Sequence, residues 1–338
     1  MSQVDERTEA TVRVSTSNLA TNRGWFTRVR RLPEEIGLLV ILLGLCLCVS
    51  ILSPYFFTFD NVINILLDIS VTGIAAIGMT YVMIAGSIDL SVGSTLALSA
   101  TLAASFLGGG RPIALAVAVA LMVGLAIGVI NGLAVTVLRI PSLIATLAML
   151  SMARGAELMY GKAVTIFGFG DAFGTLGRGT IGPIPNPVVL TLSLFVITSI
   201  VLARTPFGRK IYAVGGSPRA ARVVGIPVPR ITIAVFIISG MLAALAGLVL
   251  ISQLDSAPAI LGTNLELQAI TAVVIGGTSL TGGKGGVWGT LIGVTLIGVI
   301  TNSLNLLNVS PYYQQLIQGA VLFIAVAIDM ARRGRPSW

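Results

Sequence analysis

Nothing constrains this chain more than its apolar runs. Ten of them, Ile36–Leu52, Val62–Ala85, Leu90–Leu107, Ile113–Leu138, Leu143–Tyr160, Pro187–Ala203, Ile231–Ile251, Leu265–Ile275, Val287–Leu307 and Leu316–Met330, fill most of the 338 residues. Most are near the ~20 residues a helix needs to cross ~30 Å of hydrocarbon. Only 10% of the residues are charged, against about 25% in an ordinary soluble domain. The expected fold is therefore an all-α integral membrane protein with about ten transmembrane helices. The expected domain plan is a polar tail over residues 1–35, a transmembrane body over 36–331 and a short tail over 332–338.

Threading the runs alternately across a bilayer fixes an orientation. Lysine and arginine are retained on the cytoplasmic side during insertion. With both termini inside, the outer loops keep only Arg111, Lys162 and Arg178, and Arg154 sits within a helix; the rest of the 21 basic residues fall on inner segments. The net charge of +8 is thus a topology signal, and nucleic acid is not an expected partner. Gly161–Asn186 is the longest outer segment and can shape an external mouth or a docking surface for another protein. Histidine is absent, which removes the commonest general base and transition-metal ligand. Cys46 and Cys48 lie two apart in one run and point to different faces. No metal site and no cofactor are expected.

One long polar interruption breaks the pattern. Arg204–Arg230 carries Arg204, Arg209, Lys210, Arg219, Arg222 and Arg230 and no acid, and belongs inside. Gly215-Gly216-Ser217-Pro218 reads as a turn, and RAARVVGI as a short helix stopped by Gly225 and Pro227. Its apolar residues Ala221, Val224 and Ile226 suit the groove of a soluble partner; a solvated basic loop beside anionic lipid is the competing reading.

Two Gly-rich stretches interrupt helices on the same side, Ile84–Leu96 (IAGSIDLSVGSTL) and Ile275–Leu291 (IGGTSLTGGKGGVWGTL). Interrupted helices in both halves of a membrane protein point to a transport pathway, although small residues also serve close packing. Gly86, Asp89, Gly93, Gly282, Gly283 and Gly289 are the gating or pathway candidates, with Asp89 placed to cap the following helix. GGTSLTGGKGG is not a phosphate-binding loop: Gly277 is one position too far from Lys284, and Gly285 stands where Ser or Thr would hold magnesium. Any pumping energy comes from a partner or an ion gradient.

Asp68, Asp89, Glu157 and Glu266 are acids in apolar surroundings; Glu157 follows Arg154 by three residues, so the two can pair. The amides Asn131, Gln253, Gln268, Asn302, Asn305, Gln314 and Gln318 lie on or beside the runs. Amides both donate and accept, which suits a sugar-like substrate. Asn131, Gln268, Asn302 and Asn305 are the substrate-path candidates, with interhelical bonding as the bland alternative. An ion-driven secondary transporter coupled through Asp68 or Asp89, and a scaffold without transport, compete with an importer reading.

AGSIDLSVGS (Ala85–Ser94), FGRKIYAVGGSPRAARVVGIPVPR (Phe207–Arg230), AITAVVIGGTSLTGGKGGVWGTLIGV (Ala269–Val294) and NSLNLLNVSPYYQQLIQGAVLFIAVAID (Asn302–Asp329) together resemble the permease subunits of bacterial ribose-type ABC importers. The resemblance covers nearly all of the chain after the N-terminal tail. It implies a ten-helix permease of the bacterial cytoplasmic membrane working as a pair, with membrane lipid around it. ATPase subunits sit beneath, and an extracytoplasmic solute-binding protein delivers substrate. It also implies that Gly215, Gly216, Ser217, Pro218, Arg219, Ala220, Ala221, Arg222 and Gly225 form the element that docks on the ATPase. Pentoses and hexoses are the implied cargo, while related permeases move nucleosides and other solutes. ELQAI departs from the family's frequent Glu-Leu-Asp-Ala-Ile, with Gln268 replacing an acid.

Overall fold

The computed structural model describes residues 34–332. The two tails expected from the sequence lie outside them, save for the residues that open the first helix and close the last. The apolar runs are helices: α1 (Glu34–Leu52), α2 (Phe59–Ile84), α3 (Val92–Gly108), α4 (Ile113–Thr136) and α5 (Ser142–Gly161), then α7 (Asn186–Arg204), α10 (Val228–Leu254), α11 (Leu265–Ile275), α12 (Val287–Leu306) and α13 (Pro311–Arg332). Among the described residues, six of them (α2, α4, α5, α7, α10 and α12) are long and apolar enough to cross a membrane, while α1, α3 and α11 are shorter apolar helices. Three further helices, α6 (Asp171–Arg178), α8 (Pro206–Gly216) and α9 (Pro218–Val223), lie in the polar segments.

α10 is the hub, packed against α4, α2 and α3. Helices gain no hydrophobic drive from each other in lipid, so close contact rests on small residues that let backbones approach. Gly124, Gly128 and Gly132 recur every fourth residue on α4 and so share one face. A Cβ at Gly128 would lie 2.5 Å from the Phe236 carbonyl oxygen, and one at Gly132 2.8 Å from Ile233 Cα. That stripe seats α4 on α10.

Gly161–Asn186 folds into a small cap. β1 (Ile166–Phe167) pairs antiparallel with β4 (Ser256–Ala257), and β2 (Thr180–Ile181) with β3 (Ile184–Pro185). Gly182 takes the positive φ, +62°, that the tight turn between β2 and β3 needs. Phe173 and Gly177 of α6 are buried, and Ser252 of α10 ties that helix down, accepting from Gly177 N–H at 2.8 Å and donating to Phe173 O at 2.7 Å. α7 leaves this cap and, at ~1.5 Å per residue, carries the chain to the other end of the bundle, where the basic segment begins.

Candidate functional site

The basic segment is more helical than its glycines imply. Thr205 caps α8, its hydroxyl accepting from Gly208 N–H at 3.2 Å, and Pro206 takes the first helical position, where a missing N–H costs nothing. α8 then runs through Gly215 and Gly216, which corrects the expected four-residue turn. A single extended residue, Ser217 at φ −161°, separates α8 from α9. Its hydroxyl accepts from Ala220 N–H at 3.2 Å and so caps α9. Gly225, at φ +79°, closes α9 and returns Ile226 N–H to Ala221 O at 2.9 Å, the usual left-handed helix ending.

Burial sorts the expected docking residues. Gly216, Ser217, Pro218, Arg219, Ala220, Arg222 and Gly225 are exposed. Ala221 is not: at 2% exposure it faces the chain's own core, so it is unavailable to a partner's groove. Val223 and Val224 instead project outward at 87% and 73%. Gly215 is buried too, because it belongs to a different contact.

That contact joins three segments far apart in sequence. Gly283 N–H donates to Ile84 O at 2.9 Å. A Cβ on Gly215 would collide with Ile84 O and with Gly283 N; one on Gly282 would lie 2.7 Å from Gly86 Cα; one on Gly283 would lie 2.7 Å from Gly216 Cα. Gly86, Gly282 and Gly283 have φ near +80°, at +80°, +87° and +75°, a region other residues rarely adopt. Tyr212 of α8 donates to Gly285 O at 2.8 Å, and burial raises its phenol pKa, which keeps the donated proton in place. The end of α8, the end of α2 and the loop after α11 are therefore one glycine-built junction. It joins Gly215 and Gly216, expected at the ATPase-docking element, to Gly86, Gly282 and Gly283, expected at the gating breaks.

Beyond Gly86 the chain turns back into the bundle as an extended stretch. Its backbone is satisfied by α5: Ile88 N–H donates to Ser142 Oγ and Thr146 Oγ1 donates to Ile88 O, both at 3.2 Å. Irregular backbone survives at such depth only where protein satisfies it. Ser91, two residues after Asp89, occupies the N-cap position of α3, and Asp89 holds that residue. Its Oδ1 accepts from Ser91 N–H at 3.0 Å and Ser91 Oγ at 2.6 Å, and its Oδ2 accepts from Ser239 Oγ of α10 at 2.8 Å. The carboxyl thus fastens the break to the hub helix. Gly93 lies against Gly262 O and the Glu266 carboxyl, and Gly289 against the Gly276 backbone, with no room for a Cβ at either.

The four substrate-path candidates separate as sharply. Asn131 is buried, donating to Ser91 Oγ at 2.9 Å. Asn302 exchanges two bonds with Asn61, at 3.1 and 2.8 Å, and both are buried. Asn305 Oδ1 accepts from Gln314 at 2.9 Å. In all three the side chain is engaged by another residue of the protein. Gln268 alone faces an opening, a cleft between α11 and α13 lined also by Asn264, Thr271, Gln315 and Gln318. Asn264 and Gln315 join it only through the packing of two helices, which nothing in their spacing announces. Elsewhere Arg154 pairs with Glu157 at 2.8 Å, as their spacing allows, and also donates to Leu261 O at 2.8 Å. Asp68 is exposed on α2.

The family described as "Branched-chain amino acid transport system / permease component" matches residues 61–326. The ribose import permease protein of Haemophilus influenzae is 44% identical over 296 residues, 86% of this chain and 90% of the relative. The ribose import permease protein of Escherichia coli K12 is 43% identical over 318 residues, 93% of this chain and 98% of the relative. An L-arabinose ABC transporter permease protein from Azospirillum brasilense is 35% identical over 307 residues, 91% of each chain. No solved structure matches the chain.

Proposed function

We propose that this chain, which belongs to the family of branched-chain amino acid transport system permease components, forms the membrane path of an ATP-driven importer for a monosaccharide, ribose or a similar pentose or hexose. It is a transport subunit, with ATP hydrolysis in a separate ABC ATPase subunit and substrate delivered by an extracytoplasmic solute-binding protein. In this reading residues 36–331 cross a bacterial inner membrane ten times, both termini face the cytoplasm, and a second copy of the chain completes the path within the lipid. The kinship with ribose and arabinose permeases supports the cargo.

The observation that carries the mechanism is the glycine junction. A partner bound to the exposed face of α9 moves α8, and α8 touches both helix breaks through Gly215 and Gly216. Force from the ATPase side thereby reaches the ends of α2 and α11 without passing through flexible side chains. Backbone contacts transmit small displacements because packed interiors deform little. The test is reconstitution in liposomes with ATPase and binding protein. ATP-dependent ribose accumulation is expected. Accumulation by the lone chain under a proton or sodium gradient refutes the reading.

A further inference from the structure

We propose that the cleft between α11 and α13 is one wall of the sugar's route, with Gln268, Gln315, Gln318 and Asn264 as its hydrogen-bonding surface and a second copy of this chain as the opposite wall. The inference rests on the permease reading and adds the residues that meet the sugar. Among the described residues, none of these four side-chain amides has a hydrogen-bond partner. Gln314, their neighbour, differs: it donates to Asn305 Oδ1 and to Val309 O, both at 2.9 Å. Ile297 lines the same cleft and stands near the middle of the 20-residue α12, about 15 Å from either end at ~1.5 Å per residue. The cleft therefore reaches from the amides at the first turns of α11 and α13 to a depth where hydrocarbon would surround an isolated helix. Lipid offers an amide neither donor nor acceptor, and a polar group left so is costly. Four convergent free amides thus require a polar occupant.

Their chemistry narrows what that occupant is. The lining includes no charged side chain, so it carries no field suited to an ion or a zwitterion. Each amide offers both donors and an acceptor, the combination that matches hydroxyls pointing in several directions. Leu267, Ile297 and Leu322 supply apolar surface between them, fit for the C–H faces of a sugar ring. The space is only ≈ 50 Å³, whereas sites that enclose small ligands run to about 300 Å³ or more. One chain accordingly holds half a site. A two-fold pairing of identical subunits brings the same patch to face itself, doubling the amides around a central channel.

The test uses the complete importer in its membrane, in a Cys46→Ala, Cys48→Ala background. A polar, membrane-impermeant thiol reagent is added to open membrane sheets carrying Gln268→Cys, Gln318→Cys or, as the control, Phe323→Cys, which is 75% exposed on α13. Expected is reaction at 268 and 318, slowed by ribose-loaded binding protein, and none at 323. In parallel, Gln268→Leu and Gln318→Leu are expected to lower ribose uptake about tenfold each at equal amounts of assembled complex, the scale of one lost hydrogen bond to substrate. If the parent complex accumulates ribose but both cysteines stay unreacted, or both leucine variants transport at the parent rate, the cleft is not the route and the permease reading stands. If the parent accumulates no ribose, both fail.

Discussion

Gly215→Ala adds one methyl group at the point where α8 meets the two breaks, and the structure says what that methyl encounters. It collides with Ile84 O and Gly283 N, the acceptor and donor of the 2.9 Å bond that closes the junction. All the obstructing atoms are backbone, so no side-chain rotation relieves the contact. Separating the pair strands a buried donor and acceptor at about 1–3 kcal/mol, and overpacking adds about 1–3 kcal/mol. A combined penalty on the order of 4 kcal/mol lowers the closed junction's population nearly a thousandfold, taking ~1.4 kcal/mol per power of ten. Gly216→Ala is the matched control: a Cβ there meets nothing within 4 Å, and alanine suits a helix better than glycine by about 1 kcal/mol. The assay is purified importer, with assembled complex quantified alongside sugar-stimulated ATP hydrolysis and uptake. Gly215→Ala should lose the stimulation and Gly216→Ala should keep it. If the two behave alike, the junction does not carry coupling.

Further expectations follow from the same geometry. Val223→Asp or Val224→Asp, at exposed positions on and just after α9, should leave complex-free permease at normal levels but cut ATPase association and uptake more than tenfold, as loss of an exposed apolar anchor does; Ala221→Arg, placed in the core, should instead lower the amount of folded permease in the membrane. Gly93→Val and Gly289→Val should reduce assembled complex and uptake in proportion, because a Cβ meets backbone at each site, Gly262 O beside the Glu266 carboxyl at the first and Gly276 at the second; uptake lost from fully assembled complex would restore a selective gating role. Asn302→Leu should destabilise the fold by about 1–3 kcal/mol by leaving Asn61 Oδ1 buried without a donor, while Asn61 Nδ2 keeps its bond to Phe56 O; adding Asn61→Leu should recover part of that loss with uptake retained. An uptake defect that persists in a stable double variant would return Asn302 to the substrate path.

What was legible in the sequence follows from where each signal resides. Helix positions were, because twenty apolar residues in a row have few other solutions in lipid, and α1, α3 and α11 start and stop within a few residues of the runs that announced them. α8 was missed although its own markers, Thr205 before Pro206, stand in the sequence. The glycines behind it suggest a turn, yet glycine in a membrane protein also marks close approach. Gly215 and Gly283 show why that ambiguity is not local: each is glycine because of an atom more than sixty positions away. The amides teach the same lesson in the opposite direction. Asn131 and Asn302 have the composition of a sugar site, but their hydrogen bonds are already closed within the protein by Ser91 and Asn61. Gln268 has the same composition, and its bonds are open. Which buried amide faces a cleft depends on how α11 lies against α13, a tertiary relation that no spacing within either helix encodes. A polar residue in a membrane helix therefore identifies a requirement for a partner, and only the packing decides whether that partner is the protein or its cargo.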